Sequence, residues 1–225
     1  MVWLLGLLAI LAGGLLWQSA GSSALRARQR AAYLDDCLPL FANPIHAVAE
    51  TGFARISGTY RGQMFDIQVV PDSLSVRKLP CLWLLVTLPE ALAQRGTFDV
   101  MLRATGLETF SRFSTLPDQI AVPFGFPENC TVRTDAPDAL PDPSVIARYL
   151  NALDYTRLKE LAVAQTGLRV VWLAEEADRG RYLLFRDAEM GALPLDPATL
   201  QPLMDGLRKL WADLQETTAA KMVAE

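Results

Sequence analysis

Histidine and cysteine are scarce in this 225-residue chain, which has one histidine, His46, and three cysteines, Cys37, Cys81 and Cys130. The cysteines are widely spaced and odd in number, so a disulfide framework would leave one thiol over; that suits a reducing compartment. Cys81 stands inside an apolar run and reads as a packing residue. No HExxH, HxH or paired CxxC pattern occurs, so a zinc centre has no signature here. The phosphate-cradling GxxxxGK with Ser or Thr, the dinucleotide GxGxxG and the nucleophile-elbow GxSxG are missing too. There is no repeat of fixed period. Nor is there a basic stripe able to neutralise many phosphates, which argues against a nucleic-acid partner.

Charge is also missing from the start of the chain, where no charged side chain precedes Arg26. From Val2 to Trp17 the residues are apolar, and Gln18, Ser19 and Ala20 extend the run to the roughly 20 residues that a helix needs to cross a bilayer. The expectation is a transmembrane helix over residues 1–24, with Trp3 and Trp17 at headgroup depth near its two ends. Gly13 and Gly14 would allow close helix approach without forming a GxxxG pair. Arg26, Arg28 and Arg30 follow directly, and the positive-inside bias then places the body in the cytoplasm, on a single-pass protein of the plasma (inner) membrane. The alternative is an exported protein with a cleaved signal peptide, using the small residues from Ser19 to Ala24. It lacks the basic region that usually precedes such a core.

Net charge is −4, from 21 basic and 25 acidic residues. From Arg26 to Arg112 there are 10 basic and 8 acidic residues, and beyond that 11 and 17. The membrane-near part is close to neutral and the distal part acidic, which avoids repulsion from an anionic leaflet.

Along the body, residues 25–52 read as a juxtamembrane helix and loop, with a short helix from Ile45 to Glu50. Residues 53–126 read as a mainly antiparallel sheet. FARISGTY and MFDIQVV flank the turn Arg61-Gly62, with Phe65, Ile67 and Val69 alternating against Asp66 and Gln68. CLWLLVTL reads as a strand covered on both sides, and strands are expected again over Thr97 to Ala104 and Gln119 to Phe124. The Pro- and Asp-rich stretch from Thr134 to Pro143 reads as a connection. Residues 127–225 then read as helix, helix, hairpin, helix. Asp142-Pro143 starts the first, Asp154 caps the second with Gly167 ending it, and LRVVWLAE and RYLLFRD form the hairpin. Asp196-Pro197 opens the last and most amphipathic helix, whose apolar face includes Leu203, Leu207 and Trp211. The fold class is therefore α+β.

Candidate chemistry is sparse. His46 with Glu50 is at most half a metal site, and Cys37 with His46 lacks an orienting third group. Asp35-Asp36, Glu175-Glu176 and the acids around Arg186 to Glu189 are sequence neighbours that point in different directions, so they read as solvated surface. Arg55, Arg61, Arg77 and Lys78 in the first sheet could meet anionic headgroups. No catalytic residue, metal or cofactor is indicated.

The run Gly58-Thr59-Tyr60-Arg61-Gly62, the stretch from Pro71 to Pro80 and the strand from Leu82 to Thr87 resemble those of uncharacterised bacterial single-pass membrane-anchored proteins. The layout from Arg133 onward is similar to domains of unknown function found behind such anchors. The resemblance implies an inner-membrane protein with a cytoplasmic α+β body and transfers no catalytic residue. The resulting expectation is a membrane-anchored interaction or accessory module, with the bilayer and a protein as partners. An anionic-lipid sensor and an enzyme built from dispersed carboxylates and arginines are the alternatives. A deep pocket with converging titratable groups would favour the enzyme.

Overall fold

A computed structural model of the chain describes residues 23–72, 79–106, 108–185 and 188–224. Residues 1–22 of the expected anchor, Trp3 and Trp17 among them, lie outside the described residues, as do Arg77 and Lys78. Among the described residues no helix is long and apolar enough to cross a membrane.

Helix α1 (residues 23–31) leads through a 3-10 helix, Asp35–Leu40, into the sheet. The strands are β1 (Ala42–Val48), β2 (Ala54–Tyr60), β3 (Gln63–Asp72), β4 (Cys81–Leu88), β5 (Phe98–Leu102), β6 (Asp118–Ile120), β7 (Cys130–Thr134), β8 (Leu158–Ala164) and β9 (Gly167–Glu176). Helix α2 (Pro143–Asn151) precedes β8, and α3 (Arg179–Phe185) and α4 (Pro197–Ala224) follow β9. The nine strands form one sheet in the order β1-β2-β3-β4-β9-β8-β5-β7-β6, with every pairing antiparallel. The α+β class and the antiparallel sheet are as the sequence implies. Strands from residues 53–126 and from 127–225 share that sheet, because β9 pairs with β4 and β5 lies between β7 and β8.

The hairpin around Arg61-Gly62 forms as expected, both turn residues having positive φ (46° and 87°), the geometry of a tight two-residue β-turn. Asp142 caps α2 by accepting from the Ser144 amide at 2.9 Å, and Asp196 accepts from the Ala198 amide at 2.8 Å at the start of α4. One sheet face packs on α2 and α4. Ile67, Leu84, Val86, Leu161 and Val170 from the strands meet Ile146, Leu203, Met204 and Leu207 in the main core. Strand β4 is buried on both sides as expected, since its other face contributes Cys81, Trp83 and Leu85 to a second, smaller cluster that Phe110 covers.

Three segments differ from expectation, each for a reason set by sheet edges. The stretch Ile45 to Glu50, expected as a helix, is mostly strand β1, because β2 has a free edge there and the β-branched Ile45 and Val48 suit it. Leu158 to Ala164, expected as the second helix capped by Asp154, is β8, buried between β5 and β9. Asp154 instead accepts from the Thr156 amide at 2.9 Å in a turn that launches this strand, and Gly167 sits in the β8–β9 turn rather than ending a helix. The expected hairpin of LRVVWLAE with RYLLFRD does not form. Both edges of β9 are taken, by β4 and β8, so the second segment has no ladder to join and becomes α3.

Candidate functional site

The sheet face opposite α4 carries the site. Register places Thr87 on β4 opposite Arg169 on β9, Arg169 opposite Ala162 on β8, Ala162 opposite Asp99 on β5, and Asp99 opposite Arg133 on β7. These five positions form one row across the sheet, and Glu160, two residues before Ala162 on β8, points to the same side. Above the row, the segment after β5 crosses the sheet face, and beneath it lies a cavity of about 540 Å³. Asp99, Glu160 and Arg169 line its sheet side, Arg112, Thr115 and Leu116 its cover, and Thr97, Asp135, Thr166 and Gly167 lie at the strand ends.

Asp99 and Glu160 are each only 3% exposed. Glu160 Oε1 accepts from the Ser111 hydroxyl at 2.8 Å, whereas Asp99 Oδ1 and Glu160 Oε2 receive no donor from the rest of the described protein. Two carboxyls this close can hydrogen-bond only if a proton is kept between them. Burial first, then the charge of Glu160 and the hydrogen bond to it, hold Asp99 well above the ordinary carboxylate range, against the pull of Arg169. Burial raises Glu160 as well, opposed by hydrogen bonds from Ser111 and Asp99 and by the charges of Arg169 and Lys159. Both shifts favour a proton kept on the pair, an arrangement able to donate and accept at the same spot. Arg169 is steadied by its Nε, which donates to Thr87 Oγ1 at 3.1 Å.

A second buried pair holds the cover in place. Lys159, next to Glu160 at an irregularity in the β8–β9 register, forms an ion pair with Glu108 at 2.8 Å; the two side chains are 5% and 8% exposed. Its ammonium also donates to the carbonyls of Leu102 at 3.2 Å and Arg103 at 2.9 Å. Burial disfavours the charge on Glu108, but hydrogen bonds from Lys159 and Thr105 outweigh it and pull the carboxyl down to about 2. Arg103, at a φ of 50°, donates to the carbonyls of Tyr155 and Leu158 at 2.7 and 2.9 Å, locking the departure of this segment from β5.

The residues singled out from sequence lie elsewhere. Arg55 makes a bidentate contact with Asp66 at 2.8 and 3.0 Å near the start of β2, and Arg61 pairs with Asp205 at 3.0 Å at the turn beyond the other end of that strand. These two are not brought together. Arg30 stacks on the Phe53 ring at 5.5 Å; Arg26 and Arg28 lie on α1 with it. Cys37 is fully buried, its thiol donates to the Leu195 carbonyl at 3.4 Å, and burial with nearby Asp36 and Asp196 pushes its pKa up to about 12, which leaves it inert as a nucleophile. His46 faces Asp35 at 3.6 Å. Among the described residues no group of three or more His, Cys, Asp or Glu side chains could hold a metal.

Sequence reasoning missed Asp99 and Glu160. The one available signal was a charge inside an otherwise apolar strand, Asp99 between Phe98 and Val100; Glu160 follows Lys159 and carried no such signal. No family model matches this chain, and no curated protein or solved structure matches it either.

Proposed function

We infer that this chain is a membrane-anchored accessory module whose cytoplasmic body holds a small polar molecule above Asp99 and Glu160. The observation that carries the reading is the pair of buried carboxyl oxygens, Asp99 Oδ1 and Glu160 Oε2, without a donor from elsewhere in the described protein, on the wall of a cavity of about 540 Å³. That volume suits a small ligand. The two carboxyls beside Arg169 on one wall and Arg112 on the other offer both signs of charge, which complement a molecule bearing both an amino and an acidic group, such as an amino acid or a short peptide. The cytoplasmic placement follows from Arg26, Arg28 and Arg30 behind the apolar run, and a reporter fused to the carboxyl end should be active only in the cytoplasm.

Calorimetric titration of the full chain in nanodiscs with amino acids and dipeptides tests the ligand class. Saturable binding that is lost in a folded Glu160→Gln variant is the expected result. Heats indistinguishable from dilution across the panel would make the carboxyl pair purely structural. An acid–base enzyme is the second reading, favoured by the shared proton itself. Mass spectrometry of the same mixtures decides between them, since a binding module leaves its ligand intact and an enzyme consumes it.

A further inference from the structure

We propose that the end of the body where α1 joins it is a bilayer-docking surface, seated in the lipid interface by the exposed leucines of α3 and the segment after it. This rests on the reading of the apolar run as a membrane anchor and adds a second, separate contact with the same membrane.

Phe53, just ahead of β2, is the hub of this end. Arg30 of α1 lies over its ring at 5.5 Å, and Tyr33 meets it edge-on at 5.9 Å. The Leu195 amide donates to the Tyr33 carbonyl at 2.7 Å, and the Gly191 amide donates to Glu175 of β9 at 2.9 Å. Gly191 has a φ of 73°, and a Cβ there would stand 2.7 Å from the Phe53 ring, so the chain must run close at this point. The connection carrying α3 thus leaves the sheet at Ala177, bonded to the Pro80 carbonyl at 2.9 Å, and returns at Gly191 against the root of α1. Helix α1 has nine residues, or about 13 Å. The first described residue, Ser23, therefore lies within about that distance of this surface, and the apolar run precedes it in the sequence by two residues.

Large apolar side chains stand in solvent at the same end. Leu183 is 60% and Leu184 78% exposed on α3, Leu193 79% in the return segment, and Val48 54% where β1 meets the Phe53 turn. Exposed apolar groups stand elsewhere too, Phe124 among them, but these four share the end that carries α1, where a bilayer interface would cover them. Charge at this end is mixed, Arg26, Arg28, Arg179 and Arg181 standing among Asp35, Asp36, Glu50, Glu175, Glu176, Asp178 and the Arg181 partner Glu189, so the apolar groups and not a basic excess carry the contact. The orientation also leaves the ligand cavity usable. Its lining residues Thr97, Thr166 and Gly167 lie at the strand ends farthest from Phe53.

A photoreactive diazirine residue introduced at Leu184, and separately at Met64 beside the Arg61-Gly62 turn at the other end of the sheet, tests this in the full chain in cell membranes. Both positions are exposed, so the substitution leaves the core untouched. The expected result after illumination is lipid adducts at position 184 and none above background at 64. Adducts at 184 to protein or water only, in a chain that alkaline carbonate leaves in the membrane pellet, would overturn the docking surface while the anchor stands. A chain stripped off by carbonate would remove the anchor and the docking surface together.

Discussion

Asp99 on β5 and Glu160 on β8 are diagonal neighbours across one antiparallel pairing, since Asp99 lies opposite Ala162 and Glu160 lies opposite Met101. Diagonal positions on one sheet face are close enough for long side chains to meet. Here they place two buried carboxyls side by side on the cavity wall, where burial and their mutual proximity favour a proton kept on the pair against the pull of Arg169.

That shared proton gives the body a distinctive pH response. A carboxyl whose pKa is raised by folding contributes stability that is fully present below its unfolded value, about 4, and is lost as pH rises through the folded value. Asp99→Asn keeps a donor toward Glu160 without the charge. Urea denaturation should give similar midpoints for the two proteins near pH 4, with the variant ahead by about 1–3 kcal/mol at pH 8. Equal pH profiles would mean that the two carboxyls do not share a proton.

Glu108 has the opposite sign. Its depressed pKa contributes stability above its unfolded value, about 4.3, that disappears as pH falls toward about 2. Lys159→Met leaves Glu108 buried without its cation and should cost about 3–5 kcal/mol, with most of the loss recovered when Glu108→Leu is added. Hydrogen exchange in residues 103–117 should quicken in the single variant, because the Lys159 contacts hold that segment over the cavity.

Gly167 is a backbone constraint at the cavity's edge. Its φ is 139°, and a Cβ there would fall 2.1 Å from the Leu88 carbonyl oxygen on the neighbouring strand. Gly167→Ala should destabilise the body by at least about 3 kcal/mol in thermal or urea melts.

Helix α4 separates core from rim. Leu203 is buried against the sheet, so Leu203→Ala should cost about 2–5 kcal/mol. Trp211, expected on the same apolar face, is half-buried and donates from Nε1 to the Ala91 carbonyl at 3.2 Å. Trp211→Phe should cost no more than about 1.5 kcal/mol, the value of one hydrogen bond.

Local signals were readable where they were self-sufficient. Arg61-Gly62 between alternating strands, the Asp142-Pro143 and Asp196-Pro197 starts, and the doubly covered CLWLLVTL all formed as their residues imply. Short segments such as LKELAVA and RYLLFRD were not, because either conformation suits their composition and only a vacant or occupied strand edge selects one.

The amino-acid order alone determines the α+β class, the capped helices, the central hairpin and the long apolar run at the start, since each depends on neighbours a few residues away. Tertiary structure alone decides that β4 pairs with β9, that β8 is a strand, and that Asp99 meets Glu160 beneath a segment tethered by Lys159. The physical reason is that an antiparallel ladder fixes register between distant stretches, and the environment of a buried charge is a property of that register.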